Sequence, residues 1–301
     1  MSSTLATLVR NLLYGVLMGG ADVIPGVSGG TMALIVGIYE RLVGAISAAV
    51  SLGLALLRVD RAAVRTHWGA VPWALVLPLA AGIGLAIAVG AHAIPALMTA
   101  YPAPMRGLFL GLVGASLLIP ALRMRRVTLL HGGIGLGAAA LAFYLTGLPL
   151  LEAPDPSLLR VFLSAAVAIC AMILPGVSGA FLLEAMGMYT PTLTALKGLH
   201  GPYVLTFAAG AAVGLGAFAK LLDWLLTHRH DATMAALIGL IAGALRSLWP
   251  YLGPDRGLTL PGPGDPVAPV VGLALAGFGA VLGLLWWERS TTGDPVSSPS
   301  S

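Results

Sequence analysis

The pentapeptide Pro-Gly-Val-Ser-Gly occurs twice in the sequence, and both copies interrupt long apolar stretches. The first copy begins at Pro25 and the second at Pro175. Proline removes a backbone donor and glycine permits turn conformations, so an apolar helix must break at each copy. Because unpaired backbone groups are costly in hydrocarbon, each break must be buried in protein or line a wet cavity. The motif therefore predicts two broken helices inside a membrane protein.

Composition places the chain in the membrane class. Of its 301 residues, 58% are hydrophobic and 9% are charged, whereas soluble domains have about 25% charged residues. Residues 71–98 and 131–151 are apolar stretches of the length that a helix needs to cross a bilayer. The single cysteine, Cys170, excludes an internal disulfide and a cysteine-rich zinc site.

The similarity between the two halves extends beyond the pentapeptide. When the two copies are aligned, Gly37-Ile38-Tyr39 matches Gly187-Met188-Tyr189, and Arg10 matches Arg160. A weaker echo relates residues 111–115 to residues 239–243. The sequence therefore predicts an all-α integral membrane protein built from two repeats, residues 1–151 and 152–301.

Each repeat is predicted to contain a re-entrant hairpin, whose two ends lie on one side of the membrane, followed by three spans. The first hairpin covers residues 10–41 and the second covers residues 160–189. The spans lie near residues 71–98, 106–122 and 131–151 in repeat 1, and near 202–226, 233–249 and 267–287 in repeat 2, before a polar tail at 288–301. Three spans per repeat is an odd number, so the second repeat must be inverted, an arrangement typical of transporters.

The arginines set the orientation. With residues 42–57 running within or along one leaflet, the cytoplasmic side receives Arg10, Arg41, Arg58, Arg61, Arg65, Arg123, Arg125, Arg126, Arg229 and Arg289, which are ten of the 16 basic residues. This distribution follows the positive-inside rule and predicts a cytoplasmic N-terminus. A full span at 42–57 would move the cluster at 123–126 to the opposite side.

The two breaks are the candidate binding site. A helix that restarts near Thr31 would present free N–H groups and the positive end of its dipole, and Ser28, Gly29 and Gly30 allow close approach of an anion such as phosphate. The second copy offers Ser178 and Gly179. The backbone breaks themselves are assigned to Pro25, Gly26, Pro175 and Gly176. The alternative is a packed kink that binds nothing.

Four ionisable residues near the breaks are further candidates, since charged groups inside a membrane are costly. Asp22 could cap the broken helix, pair with an arginine, or carry a coupling ion. Glu184 could couple protons or pair with Arg160 or Lys220. Arg41 and Arg160 are candidate phosphate contacts, with snorkelling at the headgroup level as the alternative for Arg41.

No pattern in the sequence supports catalysis or a cofactor. It has no catalytic Ser-His-Asp arrangement, phosphatase signature or HExxH motif, so we expect no enzyme activity and no bound metal or cofactor. His228, His230 and Asp231 could in principle bind a metal, but a polar cytoplasmic loop explains them. The basic loops are expected to contact anionic membrane lipids rather than nucleic acid.

Residues 19–31, followed by 37–41, closely resemble the first motif of a bacterial and archaeal membrane family associated with polyprenyl-phosphate translocation. Residues 171–179 and 187–189 resemble its second motif, although Ala180-Phe181 stands where the first copy has Gly30-Thr31. The resemblance extends from about Arg10 to Trp287. It implies a flippase in the cytoplasmic membrane that returns undecaprenyl phosphate to the cytoplasmic leaflet for reuse in cell-envelope glycan synthesis.

Three other functions remain open from the sequence. The first is an ion-coupled transporter of a small water-soluble anion, which the same amide-lined breaks would suit. A membrane phosphatase for polyprenyl phosphates is the second, although a nucleophile and a metal set are lacking. The third is a scaffold without transport activity.

Overall fold

The computed structural model describes residues 2–22, 28–147, 156–175, 179–253 and 257–292. Within these segments the chain is helical, without strands beyond one isolated bridge between Leu252 and Leu258. The predicted all-α fold is confirmed. Side chains that can close helix ends lie at several N-termini: the carboxylate of Asp60 accepts from the N–H groups of Ala62 and Ala63, and Thr128 and Ser157 cap in the same way.

The first half of the chain contains eight of the described helices. They are α1 (Ser2–Asp22), α2 (Gly29–Ile35), α3 (Tyr39–Leu57), α4 (Arg61–Ala70), α5 (Trp73–Ala100), α6 (Pro102–Ser116), α7 (Leu118–Arg123) and α8 (Leu129–Thr146). The second half contains α9 (Leu158–Ile173), α10 (Gly179–Ala185), α11 (Tyr189–Lys197), α12 (Gly201–His228), α13 (His230–Ala244), a 3-10 turn (Leu245–Leu248) and α14 (Val267–Thr292).

Several helices are long and apolar enough to cross a membrane. These are α3, α6 together with α7, α8, α12, and α13 together with its 3-10 turn, and a sixth is formed if α4 and α5 count as one bent span. Large apolar side chains such as Leu136, Leu141 and Leu205 are exposed on the outside of the bundle. The chain is therefore a multi-pass membrane protein.

Four helix pairs form the scaffold, and glycines bring each pair into close contact. A Cβ on Gly82 of α5 would collide with the carbonyl oxygen of Leu12 in α1, and one on Gly210 of α12 would collide with that of Phe162 in α9. In the same way Gly111 joins α6 to α14, and Gly239 joins α13 to α8. Small residues at these positions let the backbones approach closely, as in many membrane helix pairs.

Helix lengths recur along the chain in a regular way. The short helices α2 and α10 both have 7 residues, α5 and α12 both have 28, and α6 and α13 both have 15. Helices α2 and α10 also end in the same turn, in which Gly37 and Gly187 have φ angles of 74° and 72° that glycine adopts without strain. This recurrence supports the predicted repeats, whose boundary at 151/152 lies outside the described residues.

The first half has more residues between α2 and α5 than the second half has between the corresponding helices α10 and α12. Helix α3 has 19 residues where α11 has 9, and α4, with 10 residues, has no equivalent between α11 and α12. The main buried cluster includes Leu34 of α2 and Tyr39 and Val43 in the first part of α3, together with Leu222 and Leu237. The first broken helix is thus anchored in the centre of the molecule.

Candidate substrate site at the helix breaks

The first break has a closed hydrogen-bond arrangement at the start of α2. Ser28 is the N-cap residue, and its Oγ accepts from the N–H of Gly30 at 3.1 Å. Asp22 Oδ1 accepts from the N–H of Gly29 at 2.7 Å. The predicted free N–H groups are therefore already bonded within the protein at these two residues. Of the three roles considered for Asp22, the structure displays the cap.

The start of α2 packs against the end of α9, directly before the second break. Ser28 Oγ lies 3.2 Å from the carbonyl oxygen of Met172, to which it donates, and a Cβ on Gly30 would lie 2.6 Å from that of Ile173. Ser28 and Thr31 are buried. Segments from the two halves of the chain thus meet at one point, although the particular partner atoms of Ser28 could not be predicted from the sequence.

The second break is described on both its flanks. Pro175 is buried, and α10 begins at Gly179, which packs on Ala168 of α9 so closely that no larger residue would fit. Pro25, Gly26, Gly176 and Ser178 lie outside the described residues. The structure therefore brings the predicted residues Ser28, Gly29, Gly30 and Thr31 to the end of α9. Pro175 and Gly179, which were also predicted, come directly after that part of α9 in the chain.

The two candidate arginines lie at the opposite ends of the hairpins from the breaks. Arg160 is exposed in the first turn of α9, about 20 Å along the helix from Leu174. Its Nη2 donates to the carbonyl oxygen of Met186 at 2.8 Å, which joins the start of α9 to the end of α10. Arg41 is exposed near the start of α3. Glu184 is exposed near the end of α10.

A polar cluster at the far end of the first hairpin was missed by sequence reasoning. Glu40 Oε1 lies 3.3 Å from Arg123 Nη1 and 3.5 Å from His230 Nε2. The carboxylate of Asp231 accepts from the backbone N–H groups of Arg125 and Arg126 at 2.9 and 3.1 Å. These contacts join α3, α7 and α13. Among the described residues, no group of three His, Cys, Asp or Glu side chains is placed to hold a metal ion.

Comparison with known proteins gives one family and two related transporters. Residues 18–257 match the VCA0040-like family, described as undecaprenyl phosphate translocase-like. The chain is 37% identical over 245 residues to a polyprenyl-phosphate transporter of Vibrio cholerae, covering 79% of this chain and 77% of that protein. It is 28% identical over 262 residues to a polyprenyl-phosphate transporter of Staphylococcus aureus, covering 80% and 86% respectively. No solved structure matches the chain.

Proposed function

Because the chain belongs to the undecaprenyl phosphate translocase-like family, we propose that it moves the phosphate headgroup of a polyprenyl lipid between the two leaflets of the membrane. The family match covers both Pro-Gly-Val-Ser-Gly segments and the helices between them. The polyprenyl-phosphate translocase predicted from the sequence is confirmed by this membership and by the two related transporters.

Our proposal for the path of the headgroup is based on the contact between the start of α2 and the end of α9. A phosphate entering hydrocarbon pays a large desolvation cost, whereas the prenyl tail can stay in lipid throughout. A protein therefore needs to offer only a polar path for the headgroup. Ser28, Gly29, Gly30 and Thr31, facing the end of α9, are the polar backbone and hydroxyl groups that we propose for this role, together with Ser178 and Gly179.

The headgroup must displace groups that now fill this site. The carboxylate of Asp22 bonds the N–H of Gly29, where we expect a phosphate oxygen to bind. Binding therefore exchanges one acceptor for another. We propose that Arg41 and Arg160, at the outer ends of the two hairpins, meet the headgroup as it enters or leaves. Arg160 uses one of its five N–H donors on Met186.

Three contacts support two re-entrant hairpins. Asn11 Nδ2 donates to the carbonyl oxygen of Ala74 at 2.8 Å, so the start of the first hairpin lies beside the start of α5. Glu40, at its end, contacts Arg123 at the end of α7. If α5 and α6–α7 cross the membrane and return, both ends of the hairpin share one side. The bond from Arg160 to Met186 does the same for the second hairpin.

The directions of the paired helices support the inversion. α1 runs parallel to α5, because Gly15 meets Leu79 and Gly19 meets Ile83. α13 runs parallel to α8, because Gly239 meets Gly135 and Gly243 meets Ala139. If consecutive spans alternate in direction, α8 runs with α5 and α12 runs against it. Since α9 is parallel to α12 through Gly210 and Gly214, the two hairpins then enter from opposite sides.

The further details of the proposal concern membrane, direction and chemistry. We place the protein in the bacterial or archaeal cytoplasmic membrane with its N-terminus inside, returning undecaprenyl phosphate to the cytoplasmic leaflet without altering the phosphate. Purified protein in liposomes should move labelled undecaprenyl phosphate between leaflets, and variants of Ser28 and Ser178 should slow it. Wild-type rates in these variants would contradict the proposed path.

Two parallel assays separate the other functions. Uptake of inorganic phosphate into liposomes without polyprenyl lipid would indicate a transporter of small anions. Release of inorganic phosphate from undecaprenyl phosphate would indicate an enzyme. We expect neither signal.

A further inference from the structure

The segment without a counterpart in the second half forms a groove on the outside of the bundle. The groove lies between the end of α3 and α4, and its lining residues are Leu56, Val59, Arg61, Val64, Arg65 and Trp68. No residue of α4 is buried, and Leu56, Val59 and Trp68 are all more than half exposed. None of its lining residues belongs to the helix breaks, and nothing in the proposed transport path uses them.

The lining has two chemically distinct parts. Arg61, Val64, Arg65 and Trp68 follow one another at helical spacing, so they lie on one face of α4. The floor is apolar, and two guanidinium groups stand on the same face. Among the described residues, the ion pairs found join Glu40, Arg123, His230 and Asp231, and none involves α4. The groove thus has two arginine side chains, which can donate hydrogen bonds, beside an apolar floor.

The angle between α4 and α5 bears on where this face lies. The axis of α4 is bent by 73° from that of α5. If α5 crosses the membrane close to its normal, as in the proposed topology, α4 runs nearly parallel to the bilayer plane and this face lies at the membrane surface. Asp60 caps its first turn, and at its other end Trp73 Nε1 donates to the carbonyl oxygen of Trp68 at 3.0 Å, with the two indole rings 4.6 Å apart. Tryptophan is enriched at the interface between membrane and water.

We propose that this groove binds one anionic phospholipid of the adjacent leaflet, with its phosphate on Arg61 and Arg65 and an acyl chain against Leu56 and Val64. The charge of the two arginines is complementary to a lipid phosphate. The apolar floor continues directly into the bilayer, so a chain can enter from the side. A soluble anion would leave that floor bare, and a zwitterionic lipid would bind the arginines more weakly.

The test is lipid binding to the full-length protein in detergent, measured by native mass spectrometry. Phosphatidylglycerol and phosphatidylcholine with the same acyl chains serve as probes. We expect wild-type protein to retain one phosphatidylglycerol preferentially, and the double variant R61Q/R65Q to bind it at least about tenfold more weakly, since each basic residue near a surface contributes about 1 kcal/mol. Phosphatidylcholine binding should not change.

The matched control is R125Q/R126Q, which removes the same charge from two exposed arginines outside the groove. It should bind phosphatidylglycerol within about twofold of wild type. Val64→Glu, which keeps both arginines but adds a negative charge between them, should also weaken binding and decides the matter if R61Q/R65Q does not fold. Three results would overturn the proposal: unchanged binding in R61Q/R65Q or V64E, an equal loss in R125Q/R126Q, or displacement of the bound lipid by equimolar undecaprenyl phosphate.

Discussion

At the scale of single residues, the contact between Asp22 and Gly29 spans the first break. Replacing Asp22 with alanine removes both the acceptor and the negative charge at the start of α2, and should lower the free energy of unfolding by about 1 kcal/mol. Asn keeps an acceptor oxygen, so D22N should be close to wild type in both stability and transport. Thermal unfolding in detergent and the leaflet-exchange assay measure the two properties. A D22N protein that folds normally but does not transport would instead indicate a coupling role for the carboxylate.

Gly30 is a point of close approach between the two halves at the first break. Its substitution by alanine would place a Cβ 2.6 Å from the carbonyl oxygen of Ile173, and should destabilise the protein by about 1–3 kcal/mol and slow transport strongly. Gly20→Ala is the matched control, since a Cβ there meets no neighbouring atom. Similar unfolding temperatures for the two variants would show that the start of α2 does not pack against α9 as described.

The positions of the helix breaks were predictable at the residue scale because backbone chemistry is local. Proline and glycine determine where the helices break, and the match between Gly37 and Gly187 marked two identical turns. The partner of Ser28 was not predictable, because the carbonyl group of Met172 carries no sequence signal. Arg160 was proposed as a phosphate contact from its charge alone. Its distance along α9 from the break became evident only from the structure.

At the scale of helices, glycine spacing determines which pairs form. Gly82 and Gly84 lie close together in α5, but only Gly82 faces the backbone of α1. Gly82→Ala should therefore lower the unfolding temperature, by about 1–3 kcal/mol in free energy, because the α1–α5 pair must separate. Gly84→Ala should have little effect or a small stabilising one, since alanine favours helix. The two variants can be compared in one thermal unfolding series, and an equal loss in both would argue against this packing.

Helix pairing also shows which part of the fold the sequence left hidden. The relation between α2 and α10 was visible because their motifs are nearly identical. The relation between α6 and α13 was visible only as the weak echo of residues 111–115 in residues 239–243, because membrane helices need only small and apolar residues at similar positions. The extra segment between α2 and α5 was recognised as a short apolar stretch and three arginines. The sequence did not show that this segment includes a capped helix, α4, bent by 73° from α5. The bend brings Trp68 and Trp73 into contact, and such a contact is visible only in the structure.

At the scale of the whole molecule, the two halves pack against each other through their helices, and the proposed inverted arrangement of the halves can be tested. α8 of the first half packs on α13 of the second, and α14 of the second packs on α6 of the first. If the halves are inverted, Val59 and Leu199, which both have positive φ in the turns after α3 and α11, must face opposite sides of the membrane. Both side chains are strongly exposed. Single cysteines at these positions, in a Cys170→Ala background, report the side directly.

We expect Val59→Cys to react with an impermeant maleimide only from the cytoplasmic side, and Leu199→Cys only from outside. Leu129→Cys and Leu260→Cys, which are also strongly exposed, should label from inside and outside respectively and serve as references for the two loops. Labelling of Val59→Cys from outside would mean that α3 crosses the membrane completely. In that case α5 would begin on the side of the membrane opposite to Glu40 and Arg123, and the first hairpin could not be re-entrant.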